Sequence, residues 1–399
     1  MRTEPAPTSS PFVQLGEKAS GFARRGQPWF YRDDVQAGDV LPPRLVRVRD
    51  EGQRDLGLGF TSTSKLALRL CGPWTGEGVP DRAAFFQARL QAAIERRAAW
   101  LAADAGCRLV HGEADGLPGL VVDRYGPLLV LQSTSAVVEN ALDAIVPFLV
   151  ERLAADSVVA RNDTAARKHE GLPEEVRLLH GQRREVVTFV EHGVRHSVRP
   201  FAGHKTGFYL DQRPARALVR ELAKGRRMLD LFCYQGAFAL NALAGGAVSA
   251  LAVDQSAEAL QLASAGAADN GFTGLQTAEA NVFDLLRQQR ERNQQFDLIV
   301  LDPPAFAKSR RELEGAERGY RDLNRQALRL LAPHGFLVTC TCSHHMLLPR
   351  FEELVRQAAA GLPFRVALRQ RLGAGPDHPV WLTHPESEYL KVLLLQRMD

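Results

Sequence analysis

From residue 227 to the end of the chain, short apolar runs alternate with helix-length amphipathic stretches. "RMLDLFC", "SALAVDQ", "LQTAEAN", "FDLIVLDPP" and "GFLVTCTCS" are each followed by a helical segment. "FRVALRQRL" and "YLKVLLLQR" then close the chain, with only the loop "GAGPDHPVWLTHPESE" between them. Five strand–helix repeats predict an α/β domain whose parallel sheet is covered on both faces. Two final strands with no helix between them predict a seventh strand antiparallel to its neighbours. Ligands of such sheets bind outside the carboxyl ends of the strands, near the switch point.

The remainder needs its own cores, because 399 residues exceed one ordinary domain. Residues 1–11 read as a disordered leader. From Phe12 to about Pro73, short alternating runs such as "RLVRVRD" and "LGLGFTS" are broken by Gly and Pro, which predicts a small all-β module. There Arg24 and Arg25 stand close to Trp29, Phe30 and Tyr31, a mixture that can hold RNA phosphates and stack on bases. Ordinary core aromatics at a barrel corner are the favoured reading of this stretch taken alone. A helix over 80–103, two or three strands around Gly-Pro turns and a helix over about 136–155 predict a second, α+β unit. "RREVVTFVEHGVRHSVRP" (183–200) reads as a hairpin turning at His192-Gly193.

Composition removes several classes. Five cysteines make no disulfide framework, which points to a reducing cytoplasm. No apolar run approaches the ~18 residues of a membrane span. A net charge of +4 permits a polyanionic partner without requiring one. Arginine far outnumbers lysine, which suits phosphate forks and also follows from a GC-rich genome.

The seven-stranded sheet with a reversed last strand is similar to class I S-adenosylmethionine-dependent methyltransferases. "LDLFCYQGAFAL" (229–240) is a strand, a tight turn and a helix start, where Gly236 lets backbone approach a ligand. It is not G-x-G-x-x-G, so a dinucleotide pyrophosphate cradle is excluded as its best reading. Asp254, at the end of the second strand, is placed to accept from both hydroxyls of a ribose; capping of the next helix is the competing role. Asn281 and Val282, at the end of the third strand, are positions where an adenine is gripped.

At the fourth strand, Asp302-Pro303-Pro304 stiffens the turn and fixes where the acid points. The loop is related to the N-P-P-[YF] loops that orient an exocyclic amine, with Phe306 one residue further along. By itself it reads as methylation of a planar base. At the fifth strand, Cys340 and Cys342 are separated by one residue, with His344 and His345 behind. Zinc lacks further ligands at metal spacing, and an i, i+2 disulfide is badly strained. Side chains two apart share a face, so Cys340 lies deeper and Cys342 at the mouth. Carbon 5 of cytosine becomes nucleophilic once a thiolate adds to carbon 6. Asp302 is placed to hydrogen-bond the protonated N3 edge. Cys342 and Asp302 are therefore the candidate catalytic pair, and the histidines read as a solvated loop.

From about Pro11 to Asp399 the chain resembles the RlmI-type family of 23S ribosomal RNA (cytosine-5)-methyltransferases. The co-linear segments are "GEADGLPG", "GHKTGFYLDQR", "LDLFCYQGAFAL", "NVFDLL", "FDLIVLDPPAF", "RGYRDLN", "TCS" and "LTHPESEYLK". The resemblance implies a PUA-like RNA-binding domain over 12–75 and a central α+β (EEHEE-type) domain with its hairpin over 76–198. A Rossmann-like methyltransferase domain would then span 199–399. It implies S-adenosylmethionine as cofactor, 23S ribosomal RNA as partner, a homodimer, and Cys342 as nucleophile. It carries Asp211, Gln212, Arg213, Asp230, Phe232, Tyr234, Gly236, Phe238, Asp254, Asn281, Val282, Asp302 and Pro303 as cofactor contacts. Arg24, Arg25, Trp29, Lys205, Pro304 and Phe306 follow as substrate contacts, and no metal is expected. The fourth-strand loop has no second thiol, so the base that removes the carbon-5 proton is unassigned. Methylation of a guanine or adenine nitrogen and RNA binding without catalysis are the competing functions.

Overall fold

A computed structural model describes residues 10–38, 40–102, 105–203, 205–306 and 312–399 of the chain. Most of the expected leader, residues 1–9, lies outside them. The chain divides into two units, one of residues 1–189, 198–208 and 377–385, the other of residues 190–197, 209–376 and 386–399.

The second unit contains the predicted alternation. Its strands are β1 (Arg227–Leu231), β2 (Ser249–Asp254), β3 (Leu275–Glu279), β4 (Phe296–Leu301), β5 (Leu331–Thr341), β6 (Val366–Leu372) and β7 (Lys391–Arg397). Helices α1 (Arg213–Leu222), α2 (Ala237–Ala244), α3 (Ala257–Asp269), α4 (Val282–Glu291), α5 (Leu313–Arg329) and α6 (Leu348–Ala359) precede or connect them. The strand order is β3-β2-β1-β4-β5-β7-β6. Strands β1 to β5 are parallel, and β7 runs antiparallel to both β5 and β6. Order reverses between β1 and β4, which opens a crevice at their carboxyl ends.

Side-chain alternation divides the core. Leu229, Leu231, Ile299, Leu301 and Leu337 pack on one face, beside α5 and α6. Met228, Leu298, Val300, Val338 and Cys340 pack on the other. Both faces are buried, as crossover helices require. Asp230 pairs with Val300, and Leu231 with Leu301, so β1 and β4 end level. Asp302 and Cys342 each sit one residue beyond a strand's end.

In the first unit, a six-stranded sheet spans Phe12 to Gly72 and a five-stranded sheet spans Gly106 to Gly181. They share one core, in which Phe60, Phe85 and Phe86 meet with ring centroids 5.4–5.8 Å apart. Three features differ from the sequence reading. The all-β module contains an eight-residue helix, Glu17–Arg24, which carries Arg24. Ala19 and Ala23 pack this helix on the apolar core of the sheet, and that burial offsets a short sequence with Gly16 at its N-cap and Gly21 in its interior. The helix expected over 136–155 is two, Ala136–Glu139 and Leu142–Leu153, broken at Asn140-Ala141. The helix expected over 80–103 is regular only over Arg82–Arg96, started by the Asp81 carboxylate accepting from Ala84 N. The hairpin forms as expected, with strands Val187–Glu191 and Val194–Val198 around His192-Gly193.

The loop between β6 and β7 gives residues 377–385 to the first unit. There Asp377, fully buried, accepts from Arg108 N at 3.0 Å, and its carbonyl accepts from Arg97 at 3.1 Å. No helix among the described residues is long and apolar enough to cross a membrane.

Candidate active site

The turn after β1 holds three left-handed backbones in five residues: Phe232 (φ 61°), Tyr234 (φ 47°) and Gly236 (φ 67°). Such conformations at non-glycine positions cost roughly 1–3 kcal/mol each and collect at ligand sites. Two hydrogen bonds hold them: Tyr234 N donates to Asp254 Oδ2 at 2.9 Å, and Gly236 N to the Cys233 carbonyl at 2.8 Å. Gly236 has a second constraint, since a Cβ there would lie 2.9 Å from the Ala263 Cβ.

Asp230 is 1% exposed. Its Oδ2 accepts from Ala239 N at 3.0 Å, while Oδ1 has no partner. Burial pushes its carboxyl up to about 8, against the Ala239 hydrogen bond and with the help of the Asp302 and Asp254 charges. Asp230 thus senses the carboxylates at the mouths of β2 and β4. A buried acid with an unpartnered oxygen beside two more acids suits a ligand carrying positive charge. Asp254 accepts from Tyr234 N and from Ser256 N, and it is Ser256 whose side chain caps α3. A carboxylate has about four acceptor positions, so Asp254 keeps capacity for a ligand hydroxyl.

The "DQR" segment divides three ways. Gln212 donates to Asp302 Oδ2 at 3.0 Å. Asp211 accepts from the Tyr389 hydroxyl at 2.6 Å. Arg213 is buried and donates to Glu191 Oε2 at 3.2 Å, beside Arg216, whose two nitrogens meet the same carboxylate at 2.5 and 2.8 Å. Arg213 thus takes part in a buried ion pair through its Nε, and the resemblance implied a cofactor contact for the same residue.

Of the five cysteines, four are buried and Cys342 is half-buried. Burial drives the Cys340 thiol well above its ordinary range, with the Asp302 charge acting the same way. Cys340 belongs to the core and Cys342 packs at that core's edge. Around Cys342, the flanking residues are tied down: Thr341 Oγ1 donates to the Tyr320 hydroxyl at 2.8 Å, and that hydroxyl lies 3.3 Å from Ser343 Oγ. His344 and His345 are exposed, and the His344 ring lies 5.7 Å from that of Tyr389.

Several predicted site residues are engaged in packing or local structure. Phe238 and Val282 are buried in the two core clusters. Asn281 caps α4 by accepting from Phe283 N at 2.9 Å. The Phe306 ring packs 5.0 Å from Tyr320. Pro303 is buried and Pro304 exposed. In the first unit, Trp29 donates to Glu113 at 2.9 Å and meets the His384 ring edge-on at 4.3 Å. Arg24 pairs with Asp50 at 2.8 Å, Arg25 lies over the Phe22 ring at 4.7 Å, and Lys205 is exposed. Among the described residues no cluster of potential metal ligands occurs.

Two residues at the site carried no role in the sequence reading. Tyr209 lies edge-on to Tyr234, with centroids 5.7 Å apart. Burial raises its hydroxyl, followed by the charges of Asp302, Tyr234 and Cys342, so all of these are within electrostatic reach. Lys391 opens β7 opposite Thr341. They stand in "GFYLDQR" and "EYLK" respectively, but no spacing rule selects them.

Residues 135–395 match the family model of the S-adenosylmethionine-dependent methyltransferases, and residues 13–71 that of the PUA-like domain. The ribosomal RNA large subunit methyltransferase I of Photobacterium profundum is 38% identical over 395 residues, covering 96% of this chain and 98% of that protein. Its counterpart in Tolumonas auensis is 41% identical over 384 residues, covering 93% and 96%. A solved chain described as a methyltransferase and complexed with SAH has a TM-score of 0.82 at 23% identity, covering 96% of this chain and 99% of that one. One from Streptococcus mutans has a TM-score of 0.80 at 23% identity, with the same coverage. These two share the fold. The chain belongs to the S-adenosylmethionine-dependent methyltransferases, in the family of the proteins named ribosomal RNA large subunit methyltransferase I, with S-adenosylmethionine as its cofactor and a PUA-like domain near its N-terminus.

Proposed function

We propose that this protein methylates carbon 5 of a cytosine in 23S ribosomal RNA, with Cys342 as the nucleophile. The observation that carries the reading is the half-buried Cys342 thiol at the mouth of β5, on a core edge whose other thiol, Cys340, is buried and senses Asp302. The relatives' names, which specify ribosomal RNA of the large subunit, supply the substrate class.

Asp230, Tyr234, Gly236 and Asp254 would hold S-adenosylmethionine, with Asp230 facing its cationic end and Asp254 its ribose. When bound, the cofactor supplies an electrophilic sulfonium methyl for carbon 5 to take. The Cys342 thiolate adds to carbon 6, and the ring's electron pair passes to carbon 5. Asp302 hydrogen-bonds the N3 edge and stabilises the adduct. Loss of the carbon-5 proton then restores the double bond and expels the thiolate, which leaves Cys342 as it began. Arg24, Arg25 and Lys205 are the basic side chains assigned to RNA phosphates.

Methylation of an exocyclic amine is less well supported. The aromatic of the proline loop, Phe306, packs on Tyr320.

Incubation with S-adenosylmethionine and ribosomal RNA containing 5-fluorocytidine should trap a covalent complex, because fluorine cannot leave as the proton does. Cys342→Ala should trap none and yield no 5-methylcytosine. A variant that still methylates at the wild-type rate, with methylguanine or methyladenine in digests, would establish nitrogen chemistry in its place.

A further inference from the structure

Lys391 is 2% exposed. Its Nζ donates to the Ser343 carbonyl at 3.3 Å and to the Tyr389 carbonyl at 3.2 Å. Among the described residues no carboxylate lies within ion-pair distance of it. Lysine is almost never fully buried without a counter-ion, because desolvating an ammonium costs several kcal/mol. A buried cation whose hydrogen bonds, among the described residues, go to two carbonyls and to no carboxylate needs a further reason to be there.

Its position supplies one. Thr341 and Lys391 are register partners, and the carbonyl that Lys391 holds belongs to the residue directly after Cys342. The residue before Cys342 is held from the other side, where Thr341 meets Tyr320, and Ser343 N donates back to Thr341 Oγ1 at 3.3 Å. Both peptides flanking the thiol are thus fixed by buried groups, and one of those groups is cationic.

We propose that Lys391 is a positioning residue for the nucleophile, whose ammonium locks the backbone after Cys342 and provides the positive charge that steadies the Cys342 thiolate. This rests on the reading of Cys342 as the nucleophile. The reciprocal effect is consistent with it: burial depresses the Lys391 amine, while Glu388 and the Cys342 thiolate favour its charged form. Around the pair stand Cys340 on β5 and His344 beyond it, Tyr209 ahead of α1, Tyr320 on α5, and Glu388 and Tyr389 ahead of β7. Tyr320 and Glu388 add no second cation, and His344 is exposed.

The test is the pH dependence of Cys342 alkylation by iodoacetamide on the full chain without RNA, read by mass spectrometry of the Cys342 peptide. In Lys391→Met the half-point should rise by about one pH unit or more, whereas Lys391→Arg should keep the wild-type value. Methyl transfer by Lys391→Met should fall in kcat, with S-adenosylmethionine affinity by calorimetry unchanged and partial rescue by Lys391→Arg. An unchanged half-point in a folded Lys391→Met overturns the proposal. If that variant does not fold, the wild-type titration decides: a half-point at or above the ordinary thiol value, about 8.5, overturns the proposal, and a lower one supports it. Because the alkylation needs no substrate, it fails independently of the trapping experiment. If Cys342→Ala proves active, the reading of the nucleophile falls; if only the titration is flat, the role of Lys391 falls alone.

Discussion

The side-chain amide of Gln212 donates to Asp302 Oδ2 across 3.0 Å, joining the turn before α1 to the mouth of β4. Gln212 is buried and so is held in one orientation. It fixes the acid proposed to face the base.

Loss of that hydrogen bond should therefore act on turnover. In Gln212→Ala, kcat for methyl transfer is expected to fall by about 10–100-fold, the scale of a small misplacement of a catalytic group. The melting temperature should change little by comparison. Steady-state kinetics with ribosomal RNA fragments checks this; wild-type kcat in the variant would remove Gln212 from the machinery.

Asp230 gives the crevice proposed to hold the cofactor a pH dependence. Its folded-state pKa, about 8, lies above the ordinary 3.8. The folded chain therefore keeps a proton that the unfolded chain has released, and stability falls as pH rises from about 4 through 8. Asp230→Asn has no such titration. The variant should gain on the wild type between about pH 5 and pH 8 in thermal melts, while S-adenosylmethionine binding weakens. Parallel melting curves at the two pH values would contradict this.

Glu191 behaves in the opposite sense. Burial works against its charge, but Arg216 and Arg213 outweigh it and hold the carboxyl at about 2, below the ordinary 4.5. The stabilisation is complete above about pH 4.5 and is lost as pH falls toward 2. Glu191→Gln leaves two buried guanidiniums without their anion and should cost about 3–5 kcal/mol near neutrality. The gap to the wild type should narrow in acid. Urea denaturation at about pH 7 and pH 3 measures both.

The cysteines should differ in reactivity as they do in depth. Burial raises the thiols of Cys71, Cys233 and Cys340, and Cys107 is fully buried. Native protein treated briefly with iodoacetamide should carry the label at Cys342. Cys340→Ala should still form the 5-fluorocytidine adduct, at a stability cost of about 1 kcal/mol. Rapid labelling of Cys340 in the native state would show that the depth ordering is incorrect.

Much of this protein was decided locally. The alternation of apolar runs and amphipathic segments after residue 227 specifies a parallel sheet with a reversed last strand, because each run must bury both faces and the final loop holds no crossover helix. The two-residue period specifies that Cys340 and Cys342 share a face and differ in depth. Those are short-range consequences of strand geometry. Which charges meet was not local. Gln212 reaches Asp302 over 90 positions, and Arg213 is turned to Glu191, 22 positions back, in a buried pair. Trp29, Phe238 and Phe306 are aromatic in ways that suit a ligand or a core equally, and only the tertiary structure brings Phe238 into a core cluster, Trp29 against His384 and Phe306 against Tyr320. Lys391 reads in sequence as an ordinary strand-edge charge. It becomes a buried cation beside Cys342 only because β7 inserts antiparallel next to β5, a pairing set by the whole sheet and by no residue near Lys391 in the chain.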